Sequence, residues 1–528
     1  MSGHIEKILM SVMLVMLLGL GSSYANNLSV TNVTLGSRNP NAHTVVVNFN
    51  VNWQNSWRNK INYDAAWLTV WLINSQVTPS VGVLCPATAV GLNPAGTSPG
   101  NGTNLQIYVP QDGTGAFLQP SSTGFVGNVN TQNVQLTVNY QSCGFTDADL
   151  IYASIFGMEM VFIPQGSFYA GDYDSSTAAL DSGSADPTPW FIGSENLIPV
   201  ASNPVNSNYR YVSAGQSGEY PTGQGFNIPA AFPKGYHAFY VMKYEINEGQ
   251  WVAFINSLPA ADRLNHNLTD ANHKNSGSVI NRNTINCAGT PLLCSTLKPS
   301  RALGYLSWMD LAAFLDWDAL RPMTELEFEK MSRGPILPNP GEYIWGNQTI
   351  AAATAISGTS EDGTETITSP TNANVNYNNA TFTGGDSSLG AGYDQGPLRG
   401  GIFAGSNSTR TSSGASFYGV MDLGGNLKER VVTIGNSTGL LFTGAQGNGV
   451  LNTTTGYEGN AIVGNWPGMD QVTPANGVDG AAGSGFRGGS WGDSASYLRS
   501  SDRSEAARTD TAALSTYGGR GGRTYDGN

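Results

Sequence analysis

Charge is scarce in these 528 residues: only 12% are Asp, Glu, Lys or Arg, about half of the ~25% usual in soluble domains. Positive charge is scarcer still, with 25 Lys and Arg against 38 Asp and Glu and a net charge of −13. That balance argues against a nucleic-acid partner, because phosphate binding needs a basic face that displaces counterions. No Lys/Arg cluster interrupts the acidic background, so an anionic membrane surface is not expected as a partner either. Histidine is limited to five residues and cysteine to four, and every cysteine precedes residue 295. Apart from residues 8–20, no segment approaches the ~18 consecutive apolar residues of a membrane span. No repeat of fixed period is visible.

Glycine, by contrast, is abundant at 66 residues, and 40% of the chain is hydrophobic. A disordered chain is thereby excluded, since its signature is low hydrophobicity with high charge. The length suggests about two to four domains. Lys7 precedes the apolar run 8–20, which is short for a bilayer and exits through Ser23, Tyr24 and Ala25. This reads as a signal peptide over 1–25, with export to the extracellular space, the cell surface or the periplasm and no membrane insertion. An even number of cysteines in an exported chain reads as disulfides. Position along the chain suggests Cys85 with Cys143 and Cys287 with Cys294, although four cysteines allow three pairings. A zinc site would need a second close Cys or His pair, which is lacking.

Residues 26–156 read as an all-β domain, a sandwich of immunoglobulin-like type. Val45, Val47, Phe49, Val51 and Trp53 alternate with Asn48, Asn50 and Asn52, the period-2 pattern of a half-buried strand. Further strands are expected at 28–35, 67–73, 105–109, 134–140 and 151–156, separated by turn-rich stretches. From 157 to 528 the texture changes. Asn247 with Gln250, Ser307 with Asp310, and Thr324 with Glu327 open three amphipathic helices with capping-box spacing. Long polar, Gly-rich insertions fall near 172–230, 259–300, 350–415 and 435–485.

The second part resembles the formylglycine-generating enzyme (sulfatase-modifying factor) superfamily. The resemblance rests on blocks in order: MVFIPQGSFYAGD (160–172), FYVMKYEINEGQWVAFIN (239–256), LSWMDLAAFLDWDALRPMTELEFEKMSRG (306–334), YIWGN (343–347), YGVMDLGGNLKERV (418–431) and FRGGSW (486–491), continuing to 518–523. It implies an irregular α+β domain of C-type-lectin-like type. Active members use a C-terminal cysteine pair to bind copper, and here 488–523 contains none. The related sulfoxide synthases use three histidines on iron, and no matching spacing is present. Neither copper nor iron is therefore expected. Calcium is the cofactor that the resemblance supports, through oxygen ligands in the stretch holding Asn426, Leu427 and Glu429. Lys428 and Arg430 replace the tryptophans of the usual GNVWEW, and their charge is placed to substitute a salt bridge for the ion.

Other chemistry on the scaffold is weakly signalled. Gly488, Ser490 and Gly492 match G-x-S-x-G, but so do Gly96, Ser98 and Gly100, and a His base is not evident. Glu325, Glu327 and Glu329 lie at the start of a helix, where carboxylates are stabilised without catalysis. His237, His266 and His273 read as surface or satisfied core residues. No catalytic residue is assigned. The expected function is a secreted, non-catalytic binding or structural protein, engaging an extracellular protein or glycan, or copies of itself in a surface layer or filament. A ligand site is expected on the surface around Trp491, Asp493, Tyr497, Arg499, Asp502 and Arg503, where exposed aromatic and Arg side chains would anchor an interface. Two alternatives stand: an oxidoreductase of the family type with an unrecognised metal site, and a lectin-like protein whose segment 491–508 is rewritten by a retroelement.

Overall fold

The computed structural model describes residues 28–173, 176–182, 188–202 and 208–527. The expected signal peptide lies outside these residues. No helix among the described residues is long and apolar enough to cross a membrane. The described residues form two compact units: one takes those up to Arg58 and Ala65–Met158, the other Asn59–Asp64 and those of Glu159–Asp526.

The first unit is β-rich, and its strands follow from alternation. In Thr44–Arg58 the side chains of Val45, Val47, Phe49, Val51 and Trp53 are all buried. The intervening asparagines are half-buried and reach across the sheet: Asn50 accepts from the Asn133 backbone N–H, and Asn48 from the Gln135 amide. This strand pairs antiparallel with Ser29–Asn39 and with Phe125–Asn139. A second set pairs 66–68 with Ala116–Pro120, and the latter with Leu105–Val109. Both sets feed one core that includes Phe49, Leu68, Ile107, Leu118 and Leu136, each side chain contributing about 1.5–3 kcal/mol by burial. Cys85 and Cys143 are bonded beside it.

The second unit is irregular α+β. Antiparallel pairing joins 160–163 to Phe239–Met242, that strand to Gly521–Thr524, and the latter to Arg321–Pro322. Helices α1 (Glu248–Ser257), α2 (Trp308–Trp317) and α3 (Glu325–Arg333) each begin with a complete capping box, on Asn247, Ser307 and Thr324. These are the three helix starts that the spacing predicts. Helices α1 and α2 meet through aromatic rings, Phe254 lying 5.5 Å from Phe314 and 5.3 Å from Trp317. The remaining length is loop and short hairpin, including the second disulfide, Cys287 with Cys294.

Candidate functional site

The C-terminal blocks converge on a two-stranded ladder, Glu429–Val432 with Ser484–Arg487. Directly after it the chain turns through Gly488 and Gly489, both at positive φ. A Cβ on Gly488 would lie 2.1 Å from the Leu423 carbonyl oxygen, so only glycine fits there. Beside the turn lies a narrow depression with about 10 Å³ of free space, about what one water molecule fills, lined by Phe486, Arg487, Gly488, Gly489, Tyr497, Asp502 and Glu505. Lys428 stands at its edge, with Nζ 2.5 Å from Glu505, 3.4 Å from Asp493 and 5.7 Å from the Tyr497 ring centre. The arrangement offers an aromatic face and carboxylate acceptors around one ammonium group.

The residues expected to form a surface site separate into two groups. Tyr497 is half-buried and lines the depression, and Asp493, also half-buried, is paired with Lys428. Asp502 lines it but is 5% exposed, and burial pushes its carboxyl up while Ser504 donates to it. Trp491 is structural: it packs with Ala302 and Leu427, and its indole N–H donates to the Ser515 carbonyl at 3.1 Å. Arg499 is half-buried, and its backbone bridges to Tyr343. Arg503 requires a correction, because it is fully buried and cannot anchor a surface ligand. Its Nε donates to Glu325 at 2.6 Å, and the remaining nitrogens reach the carbonyls of Ala178 and Val212 and the Tyr211 hydroxyl. A guanidinium in so apolar a setting needs a paired carboxylate, and Glu325 supplies it.

The helix carboxylates are likewise absorbed into ion pairs. Glu325 faces Arg503 and Arg487, Glu329 faces Arg487 at 2.9 Å, and Glu327 takes Arg321 at 2.6 Å. Burial opposes the charge on Glu325, and Arg503 and Arg487 overcome it, holding the carboxyl below its usual range. Ser490 is also buried and donates to Asp493 at 2.6 Å. A carboxylate in that position orients the hydroxyl but does not replace the imidazole base of a nucleophile elbow. His266 and His273, although distant in the chain from α2, both bond Asp310, at 2.8 and 2.9 Å. His237 is exposed.

The oxygens expected to hold calcium are largely engaged within the chain. The Asn426 side-chain oxygen already accepts from the Leu398 backbone N–H at 2.8 Å and from Asn376 at 3.2 Å, while its amide donates to Glu245. Leu427 donates its N–H to Glu245. Glu429 accepts from Arg520 Nε at 2.6 Å, and Arg520 also donates to the carbonyls of Met242 and Lys243. Among the described residues no three His, Cys, Asp or Glu side chains close on one point. Glu429 Oε2 and Asn376 Oδ1 are the oxygens left without a hydrogen-bond partner there. The salt bridge to Glu429 is made by Arg520, and the expected Lys428 and Arg430 go elsewhere: Lys428 to Glu505, Arg430 to the carbonyls of Leu306, Asp510 and Ala512. Burial and mutual repulsion raise the Glu245 carboxyl, and burial does the same for Asp422 and Glu429.

All four cysteines are in disulfides, in the pairing that chain position suggests. Arg520 and Glu505 carry no signal in the local sequence. The excess of negative charge within 422–429 was the available hint that a cation must approach Glu429. No curated protein matches the chain. The family profile of the sulfatase-modifying factor enzyme 1-like domain matches residues 200–520, and the ladder, the glycine turn and the depression all lie inside it. The chain belongs to the sulfatase-modifying factor enzyme 1-like family.

Proposed function

We propose that this protein is an exported, non-catalytic binding protein, in which a domain of C-type-lectin-like type presents the depression around Tyr497 to an extracellular protein or glycan. The observation that carries the reading is the state of the sulfurs: with Cys85, Cys143, Cys287 and Cys294 all consumed in disulfides, no thiolate pair remains to hold a soft copper ion. The half-buried Tyr497 face, with the half-buried Asp493 and Glu505 held by the buried Lys428, supports recognition there. The first unit is read as an immunoglobulin-like sandwich. Its strand Ser29–Asn39 ends a sheet, which supports pairing between copies in a surface layer or filament. Diversification of 491–508 is not favoured, because Trp491, Leu498, Ser500, Ser501, Asp502, Arg503, Ala506 and Ala507 are buried there.

Two assays test the proposal. The purified protein is titrated against immobilised glycans, matrix proteins and itself, alongside Tyr497→Ala with its melting curve checked. At least a tenfold loss of the binding seen with the parent protein is expected, and unchanged binding removes the site. In parallel, a cysteine-bearing sulfatase peptide is incubated with the protein, copper and oxygen. The thiol should survive, whereas its conversion to an aldehyde would identify an oxidase.

A further inference from the structure

A second cluster, outside the depression, places an amine against two carboxyl groups. Lys243 directly follows the strand Phe239–Met242, opposite Glu159, and its backbone N–H donates to the Glu159 carbonyl at 2.9 Å. Its Nζ lies 3.1 Å from Glu159 Oε2 and 3.3 Å from Asp64 Oδ2. All three residues are buried, Asp64 completely. Aromatic rings are close: Tyr244 is 5.4 Å from Nζ, and Tyr63, next to Asp64, stacks on Phe162 at 4.7 Å. Glu159 Oε1 is buried without a hydrogen-bond partner. An ordinary ion pair needs one carboxylate per ammonium group. Here a second carboxyl shares the amine and keeps one oxygen unused.

We propose that Lys243 and Asp64 are joined by an intramolecular isopeptide bond, formed within the folded chain with Glu159 as the proton carrier. Reacting atoms held about 3–3.5 Å apart in a fixed orientation gain a large effective concentration. The step balances without any co-reactant. Lys243 passes one ammonium proton to the Asp64 carboxylate, giving an amine and a carboxylic acid. The amine nitrogen adds to Asp64 Cγ. Glu159 takes a proton from that nitrogen and delivers one to the departing hydroxyl, which leaves as water. A neutral amide replaces an ion pair, one water is released, and Glu159 ends as it began.

Glu159 and the dry setting favour this direction, whereas the charge held on Lys243 opposes it. Burial pushes the Glu159 carboxyl up to about 8, against the opposing pull of Lys243, so it holds a transferable proton near neutrality. Burial works against the charge on Lys243, but Tyr244, Glu159 and Asp64 outweigh it and hold the ammonium above the usual lysine range. Loss of the ammonium proton is therefore the part of the step that the surroundings oppose. Exclusion of water from the buried cluster disfavours hydrolysis of the product. The bond would close a covalent loop containing all of Ala65–Met158, independently of either disulfide.

Mass spectrometry of the purified full chain tests this directly. After reduction and determination of its first residue, the protein should weigh one water less than its sequence. Proteolysis should give a branched peptide joining the segments around Asp64 and Lys243. A full sequence mass, with both segments recovered as separate linear peptides, overturns the proposal. Glu159→Gln, with folding checked by circular dichroism, should give the unbridged mass. A bridge persisting in that variant removes Glu159 from the chemistry. Should Glu159→Gln fail to fold, the parent mass and peptide map still decide.

Discussion

Removing the guanidinium of Arg503 would leave the Glu325 carboxylate in a fully buried site with only Arg487, 3.6 Å away, in place of two cations. Breaking one side of such a pair costs about 3–5 kcal/mol. Arg503→Ala should therefore lower unfolding stability by about that amount in a denaturant titration, whereas a surface anchor would change binding alone. His273 provides a pH signature. Burial opposes its charge, but Asp310 and Asp270 raise the imidazole from 6.5 to about 9. Its contribution is complete below pH 6.5 and disappears as pH climbs through 9, on the order of 3 kcal/mol in all. Urea midpoints measured between pH 6 and 10 should fall over that window, and His273→Gln should remove that part of the fall. At Glu429 the cation is the covalently attached Arg520, so a strong calcium chelator should leave the melting temperature unchanged. A chelator-induced drop would restore the ion.

The helices show which elements were legible beforehand. A capping box is a contact between residues three apart, so Asn247 with Gln250, Ser307 with Asp310, and Thr324 with Glu327 could be read directly. Alternation likewise revealed the strand from Thr44 to Trp53, because period 2 is set within the strand itself; its continuation to Arg58 carries no such pattern. The functional contacts were opaque for the opposite reason. Arg520 meets Glu429 across 91 residues, and Lys428 meets Glu505 across 77; no local spacing announces either. Arg503 was misplaced because its neighbours in the chain are serine and aspartate, while its neighbours in space are Glu325 and Tyr211. The caps also carry a measurable share of stability. Thr324→Ala removes the acceptor for the Glu327 N–H and the donor to Pro233, and should cost about 1–2 kcal/mol by thermal or chemical denaturation.

For the molecule as a whole, the disulfides differ in what they constrain. Cys85–Cys143 closes 58 residues of separation and Cys287–Cys294 closes seven. In the chain-entropy account the longer loop contributes about 4 kcal/mol and the shorter about 2. Replacing each pair by alanine should reproduce that order, with the larger loss of melting temperature on Cys85→Ala/Cys143→Ala. Equal losses would point to local packing instead. The placement of charge has a further consequence. More than half of the 25 lysines and arginines are buried, as are half of the 38 aspartates and glutamates. What faces solvent is an exterior of asparagine, serine, threonine and glycine with few ions on it. Such a coat has little for dissolved salt to screen, so under the proposed function contacts made through it should persist from fresh water to brine.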